Sequence, residues 1–333
     1  MLGASGQRIL VIRYSALGDV VLATSVMEPL RRRFPGARIE WVTSPALAPL
    51  LEGLPGIAAV HRLGKRGGHG PLALARRLRG RFDLAIDLQE KVKSRLLALA
   101  AAPRRLHFHR RTFGQALWAL VGRDRPVTRA HATRLYAEVL APLGVEAPGR
   151  PELAVGERAR ALAREALAGA RRPLVGIAPG ATWATKRWAP ERFAAVADAL
   201  HAAGHGLVLV AGPGDAVAAT AFRAALHAPL DADLTSLPVD VLAGALGELK
   251  LLVACDSGPV HLATALGVPT LALFGPTSTV RWAPAPPGRA LSLGLPCQPC
   301  SNHGGERCPL GHHDCLRRLE VAPVLAAARE LLA

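Results

Sequence analysis

Short runs of β-branched and leucine-rich residues alternate along this chain with longer stretches whose apolar positions recur at helical spacing. In the first half, RILVIRYS predicts a strand, a turn follows at Ala16–Asp19, and VVLATSVMEPLRRRF predicts a helix. ARIEWVTS and AAVHRL predict two more strands. A helix around Pro71–Arg79, the strand FDLAIDLQ, the helix KSRLLALAA and a closing helix over Arg129–Leu143 complete that half. A helical stretch between Pro151 and Arg172 leads to the junction. The alternation then starts again: strand RRPLVGIAPG, helix ERFAAVADALHAAG, strand GLVLVAGPG, a helix, strand LLVACDSG, helix PVHLATALG and strand PTLALFGP.

Strands that alternate with helices build parallel sheets with helices on both faces. Two such series predict an α/β protein of two Rossmann-like domains facing across a cleft, the first over 1–165 and the second over 166–315. Ligands in these sheets bind outside the carboxyl ends of the strands, so functional residues belong in the loops that follow strands.

Composition adds two constraints. With 333 residues and 50% hydrophobic content the chain can bury substantial cores. Its longest apolar stretches, such as Leu96–Ala102, fall short of the roughly 18 residues a spanning helix needs. The N-terminus runs straight into a strand and does not read as a signal peptide; the expectation is a cytoplasmic, soluble protein. The net charge of +16 is unevenly placed: residues 1–150 hold 25 Lys and Arg against 10 Asp and Glu, the rest 16 against 15. Arg31–Arg33, Arg62 with Lys65 and Arg66, Arg76 to Arg81, Arg104–Arg105 and Arg110–Arg111 form the clusters. Such a field attracts phosphorylated glycolipid, an anionic membrane surface or nucleic acid. No recognised nucleic-acid motif is present and aromatic residues make up only 4%, which argues against nucleic acid. The first turn also lacks G-x-G-x-x-G, which argues against a dinucleotide-dependent oxidoreductase.

Three loops carry candidate chemistry. In LLVACDSGPVHLATALGVPTLALFGPT a strand ends at Asp256, Ser257 and Gly258 turn, and Pro259 opens a helix whose first N–H groups could hold an anion, with His261 within reach of it. An ordinary cap by Asp256 or Ser257 is the plain alternative. In APGATWATKRWAP, Gly180, Thr182 and Lys186 would face the same cleft, the lysine balancing charge on a departing diphosphate; a solvated loop cation with Trp183 and Trp188 as packing anchors is the alternative. In YSALGDVV, Gly18 permits a sharp turn and Asp19 is either a helix cap or a general base for an acceptor hydroxyl. In the weaker AGPGDA, Asp215 either binds ribose hydroxyls or caps a turn.

Taken in order, these segments resemble glycosyltransferase family 9, the ADP-heptose:lipopolysaccharide heptosyltransferases, over nearly the whole length: ILVIRYSALGDVVLATSVMEPLRRRFPGARIEWVTS, FDLAIDLQEKVKSRLLALA, the Gly180–Trp188 loop, DSGPVHLATALGVPTLALFGPT and CPLGHHDCL. The resemblance implies a GT-B fold, an acceptor-binding first domain, an ADP-heptose-binding second domain, and a final helix in 316–333 that crosses back onto the first. It implies inverting, metal-independent transfer of heptose to Kdo or heptose in the inner core of a lipid A-linked precursor, at the cytoplasmic face of an anionic inner membrane with which the protein associates peripherally. Asp19 matches the base and Lys186 a catalytic lysine at the donor phosphates. Gly180, Thr182, Asp256, Ser257, Gly258 and His261 match donor positions, and Asp215 corresponds to them loosely. Gly18, Lys93 and Arg62 fall on the acceptor side. A related GT-B transferase with another nucleotide sugar or a surface-polysaccharide acceptor is the alternative. The resemblance requires no cofactor. Separately, Cys297, Cys300, Cys308 and Cys315 form C-x2-C-x7-C-x6-C, a spacing compatible with a structural zinc although it lacks a standard second C-x2-C pair.

Overall fold

The computed structural model describes residues 6–65, 67–108 and 130–333. Arg66 and Arg110–Arg111 of the basic clusters, and Arg129 at the expected start of the closing helix, lie outside the described residues. The chain divides into two compact units, unit 1 taking the described residues of 1–114 with 132–156, and unit 2 those of 115–131 with 157–333.

Unit 1 contains a parallel sheet of β1 (Arg8–Ile12), β2 (Arg38–Thr43), β3 (Ile57–Arg62), β4 (Leu84–Asp87) and β5 (Arg104–His107), ordered β3-β2-β1-β4-β5. Its helices are α1 (Leu17–Ala23), α2 (Met27–Arg33), α3 (Pro71–Leu78), α4 (Val92–Ala101) and α5 (Ala132–Glu138). Inner strands β1 and β4 are apolar between Arg8 at the start of β1 and Asp87 at the end of β4 because both faces are covered, whereas the edge strand β3 is mostly half-buried. Leu10, Ile12 and Ala85 of the sheet pack with Leu74 and Leu78 of α3 and Leu97, Ala98 and Ala101 of α4.

Unit 2 repeats the scheme. Helix α6 (Glu157–Ala166) precedes β6 (Leu174–Ala178), α7 (Pro190–Ala202), β7 (Gly206–Leu209), α8 (Ala216–Ala225), β8 (Ala232–Asp233), α9 (Val239–Leu246) and β9 (Leu251–Cys255). Then come α10 (Gly258–Ala265), β10 (Thr270–Leu273), α11 (Thr279–Trp282), β11 (Arg289–Leu291), α12 (Asp314–Arg317) and α13 (Val321–Leu332). The sheet is parallel, ordered β11-β10-β9-β6-β7-β8. Counted from β6, this is the doubly wound order of dinucleotide-binding folds.

Two boundaries differ from the sequence reading. The division falls at 156/157 rather than 165/166, because α6 packs against α9 and buries Ala159 and Ala163. Helix α13, expected to cross back onto the first domain, belongs to unit 2: it packs on α7, β9 and β10, and Val324, Ala327 and Ala328 enter the core with Phe193 and Leu200. Among the described residues no helix is long and apolar enough to cross a membrane.

The strand order marks a candidate site in each unit. Chain direction across the sheet reverses between β1 and β4 in unit 1 and between β6 and β9 in unit 2. The loops after those strands diverge to opposite faces and leave a crevice at the carboxyl edge. Register aligns the strand ends there, Ile12 with Asp87 and Ala178 with Ala254.

Candidate functional site

At the reversal point of unit 1 a charged residue follows the apolar run of β1. Arg13 is buried, and one guanidinium nitrogen donates to the Leu88 carbonyl at 2.5 Å while another pairs with Asp19 Oδ2 at 2.8 Å. Burial opposes the charge on Arg13, but Tyr136, Asp19 and Asp87 more than offset it and raise its pKa above the usual arginine value. The Tyr136 hydroxyl donates to Asp19 Oδ1 at 3.0 Å, and the Arg13 guanidinium lies 5.5 Å from the centre of the Tyr136 ring. Asp19 is the third residue of α1, and Ala16 precedes that helix with no side-chain cap. Its carboxylate is held in an ion pair with Arg13 and accepts from a tyrosine hydroxyl.

The loop after β4 braces this arrangement. Gln89 Oε1 accepts from the backbone N–H of Tyr14 at 3.0 Å and of Ser15 at 3.1 Å, tying the two loops across the crevice. Asp87, fully buried, in turn accepts from the N–H groups of Gln89 and Glu90 through Oδ1. Gly18 sits in the first turn of α1 beside Asp19, and Lys93 is exposed in the first turn of α4. Arg62 ends the edge strand β3, two strands from β1 or roughly 10 Å, and pairs with Glu52 at 2.7 Å.

At the reversal point of unit 2, Asp256 follows β9 and is buried. Lys186 Nζ lies 2.8 Å from Asp256 Oδ2, and the Thr277 hydroxyl donates to the same oxygen at 2.6 Å. Burial favours the neutral acid, yet Lys186, Thr277 and the nearby His261 hold the Asp256 carboxyl below the usual carboxylate range. The cap alternative fails here as well: Asp256 is committed to Lys186, and Ser257 directs its hydroxyl to the Cys255 carbonyl at 3.1 Å. Helix α10 starts at Gly258 with no side-chain cap. A helix start with no cap from its N-cap side chain, near a lysine, has the chemistry to hold an anion.

Gly180 meets its neighbours in an unexpected way. A Cβ there would lie 2.2 Å from Asp215 Cγ, so its missing side chain makes room for Asp215. Asp215 Oδ2 accepts from its own turn at Gly212 N–H, 2.9 Å away. Thr182 is exposed, and Arg187 donates to the Ala181 carbonyl at 2.8 Å and the Thr182 carbonyl at 3.4 Å to curl the loop. Trp188 is a core anchor: its indole donates to the Leu319 carbonyl at 2.9 Å and its ring meets Phe193 edge to face. Trp183 is partly exposed.

The cysteine-rich segment clamps this loop. Thr185 exchanges hydrogen bonds with Gly305, and His313 bonds the Thr185 carbonyl at 2.8 Å. Gly304, at positive φ, packs so closely on Lys186 and Trp183 that a Cβ would come within 2.9 Å of either. Beyond the effect of burial, the four cysteines of the C-x2-C-x7-C-x6-C pattern neighbour one another closely enough to raise the Cys315 and Cys300 thiols. All five thiols are free, and among the described residues no group of three or more His, Cys, Asp or Glu is arranged to hold a metal. Burial, with the neighbouring thiols, pushes Cys315 up to about 11, and burial pushes Cys255 up to about 12.

Sequence reasoning singled out candidates in the loops that follow the central strands and did not single out the residues that contact or brace them: Arg13, Gln89, Tyr136, Thr277, Thr185 and Gly304. Arg13 alone had a local signal, a charge inside an otherwise apolar run.

Comparison with known proteins agrees with this architecture. The sequence model of glycosyltransferase family 9 (heptosyltransferase) matches residues 71–310. Lipopolysaccharide heptosyltransferase 1 of Pseudomonas aeruginosa is 31% identical over 88% of this chain and 86% of its own length. The crystal structure of a family 9 glycosyl transferase from Veillonella parvula superposes with a TM-score of 0.82 at 26% identity, covering 99% of this chain and 98% of the other. The E. coli ADP-heptose lps heptosyltransferase II has the same fold, with a TM-score of 0.73 at 24% identity and 98% coverage of each chain. The two parallel-sheet units are those of a GT-B enzyme, and the chain belongs to glycosyltransferase family 9.

Proposed function

We propose that this glycosyltransferase moves a heptose from ADP-heptose to a Kdo or heptose residue in the inner core of a lipopolysaccharide precursor, with inversion at the transferred carbon and without a metal. The observation that carries this reading is the uncapped start of α10 beside the Lys186–Asp256 pair. That arrangement suits a diphosphate leaving group, whose developing charge the helix amides and the lysine ammonium would stabilise. Supporting it, relatives named as lipopolysaccharide heptosyltransferases align over four fifths or more of this chain.

In this reading the acceptor hydroxyl attacks the anomeric carbon, the bond from that carbon to the diphosphate oxygen breaks, and ADP departs with the electron pair. The hydroxyl proton passes to Asp19, whose orientation Arg13 and Tyr136 set. Gly180, Thr182, Asp215, Ser257, Gly258 and His261 would surround the donor, and Gly18 and Lys93 the acceptor. Arg62, already paired with Glu52, would meet only an outlying anionic group.

Incubation with ADP-heptose and defined truncated core acceptors, read by mass spectrometry, tests the assignment. One added heptose supports it; transfer from another nucleotide sugar alone would overturn the donor. Asp19→Asn keeps the shape of the side chain but removes the base. Its kcat is expected to fall by about 10²–10⁴ with ADP affinity nearly unchanged, and wild-type turnover would remove Asp19 from the chemistry.

A further inference from the structure

Helix α4 is apolar on two opposite sides. Ser94, Leu97, Ala98 and Ala101 face inward and are buried. Val92, Leu96 and Leu99, spaced i, i+4 and i+7, form a stripe on the outer side and are exposed by 75%, 58% and 59%. Lys93 and Arg95, both exposed, flank that stripe on either side. Helix α3, packed beside α4, repeats the combination with Leu72 at 65% exposure and with Arg76 and Arg77 exposed. Neither helix contains an acidic residue. Beside the stripe, Arg95, Leu99, Arg105 and His107 line a cavity of about 310 Å³ between α4 and the edge strand β5.

A single exposed leucine requires no explanation, but an apolar stripe framed by cations marks an interaction surface. A second copy of the same face would cover the stripe only by bringing like charges together, with no carboxylate on either helix to offset them. An anionic bilayer answers both features, taking apolar side chains into the headgroup boundary while its phosphates meet the flanking lysines and arginines. We propose that the outer face of α3 and α4 is the surface by which this enzyme rests on an anionic phospholipid membrane, the Arg95–Arg105 cavity receiving a headgroup phosphate. The proposal rests on the reading above in one respect: a lipid-borne acceptor gives such docking its purpose.

Flotation of the full chain with phosphatidylcholine vesicles, with or without phosphatidylglycerol, tests it. The wild type is expected to bind the anionic vesicles and not the neutral ones. Arg95→Gln with Arg105→Gln should weaken binding about fivefold per charge removed, and Leu96→Ser with Leu99→Ser about tenfold or more. Both double variants should keep wild-type ADP binding and transfer to a delipidated, water-soluble acceptor, which shows that they fold. Unaltered vesicle binding in these variants, equal binding to neutral vesicles, or a change confined to oligomeric state by light scattering would each overturn the proposal, the last in favour of a self-interface. Residue-dependent vesicle binding by a wild type that transfers no heptose would instead sink the transferase reading and leave the surface standing.

Discussion

A buried carboxylate stays ionised only because of what surrounds it, and Asp256 depends on three neighbours. Burial opposes its charge, and Lys186, Thr277 and His261 reverse the balance, so its folded pKa lies below its unfolded value of about 4. The contribution to stability is therefore complete above about pH 4 and is lost as pH falls through the depressed folded value. At neutral pH, Lys186→Met would leave the carboxylate buried without its cation and should cost about 3–5 kcal/mol in urea unfolding. Adding Asp256→Asn removes the orphaned charge and should recover most of that loss. If the double variant were no more stable than the single, the ion pair would not be what sets this corner of the fold. The Arg13–Asp19 pair of unit 1 differs in that Asp19 retains some solvent exposure.

At the scale of elements, legibility followed burial. Strands β1, β6 and β9 lie inside their sheets, so beyond Arg8 at the start of β1 they read as unbroken apolar runs. The edge strands β5, β8 and β11, of four, two and three residues, are partly exposed and escaped notice because RRLH, AD and RAL carry no pattern that distinguishes them from loops. The site was readable to the same depth. The reversal rule points to whatever follows a central strand, which yielded Asp19, Lys186 and Asp256. Residues that approach from elsewhere, such as Tyr136 from α5 or Gly304 from the C-terminal segment, leave no local trace. Gly180 was found for another reason than the one the structure reveals, since Asp215 from the next loop fills the space beside it. Gly180→Ala is accordingly expected to destabilise by about 1–3 kcal/mol and to weaken ADP binding, as measured by thermal shift with and without nucleotide. Pairing it with Asp215→Ala should be markedly less than additive in stability. Strict additivity would show that the two loops do not press on each other.

On the scale of the molecule, the charge asymmetry separates two kinds of electrostatics. The first 150 residues carry 25 basic side chains against 10 acidic ones, many of them exposed, while the remainder is nearly balanced. An exposed, diffuse excess acts at a distance and yields to salt: between about 0.1 M and 1 M ionic strength its reach shrinks from about 10 Å to about 3 Å. The lysine of unit 2 works differently, since Lys186 is fixed at 2.8 Å from Asp256 with little solvent around either side chain. Contacts of that kind are screened much less. If the basic half attracts an acceptor bearing phosphates and carboxylates, the acceptor KM should rise about tenfold or more across that salt range. The dissociation constant for ADP, measured by calorimetry on the same protein, should change far less. An acceptor KM indifferent to salt would mean that the excess charge does not steer the acceptor. Parallel loss of both affinities would mean that the donor cradle draws on the same diffuse field rather than on the half-buried lysine and the start of α10.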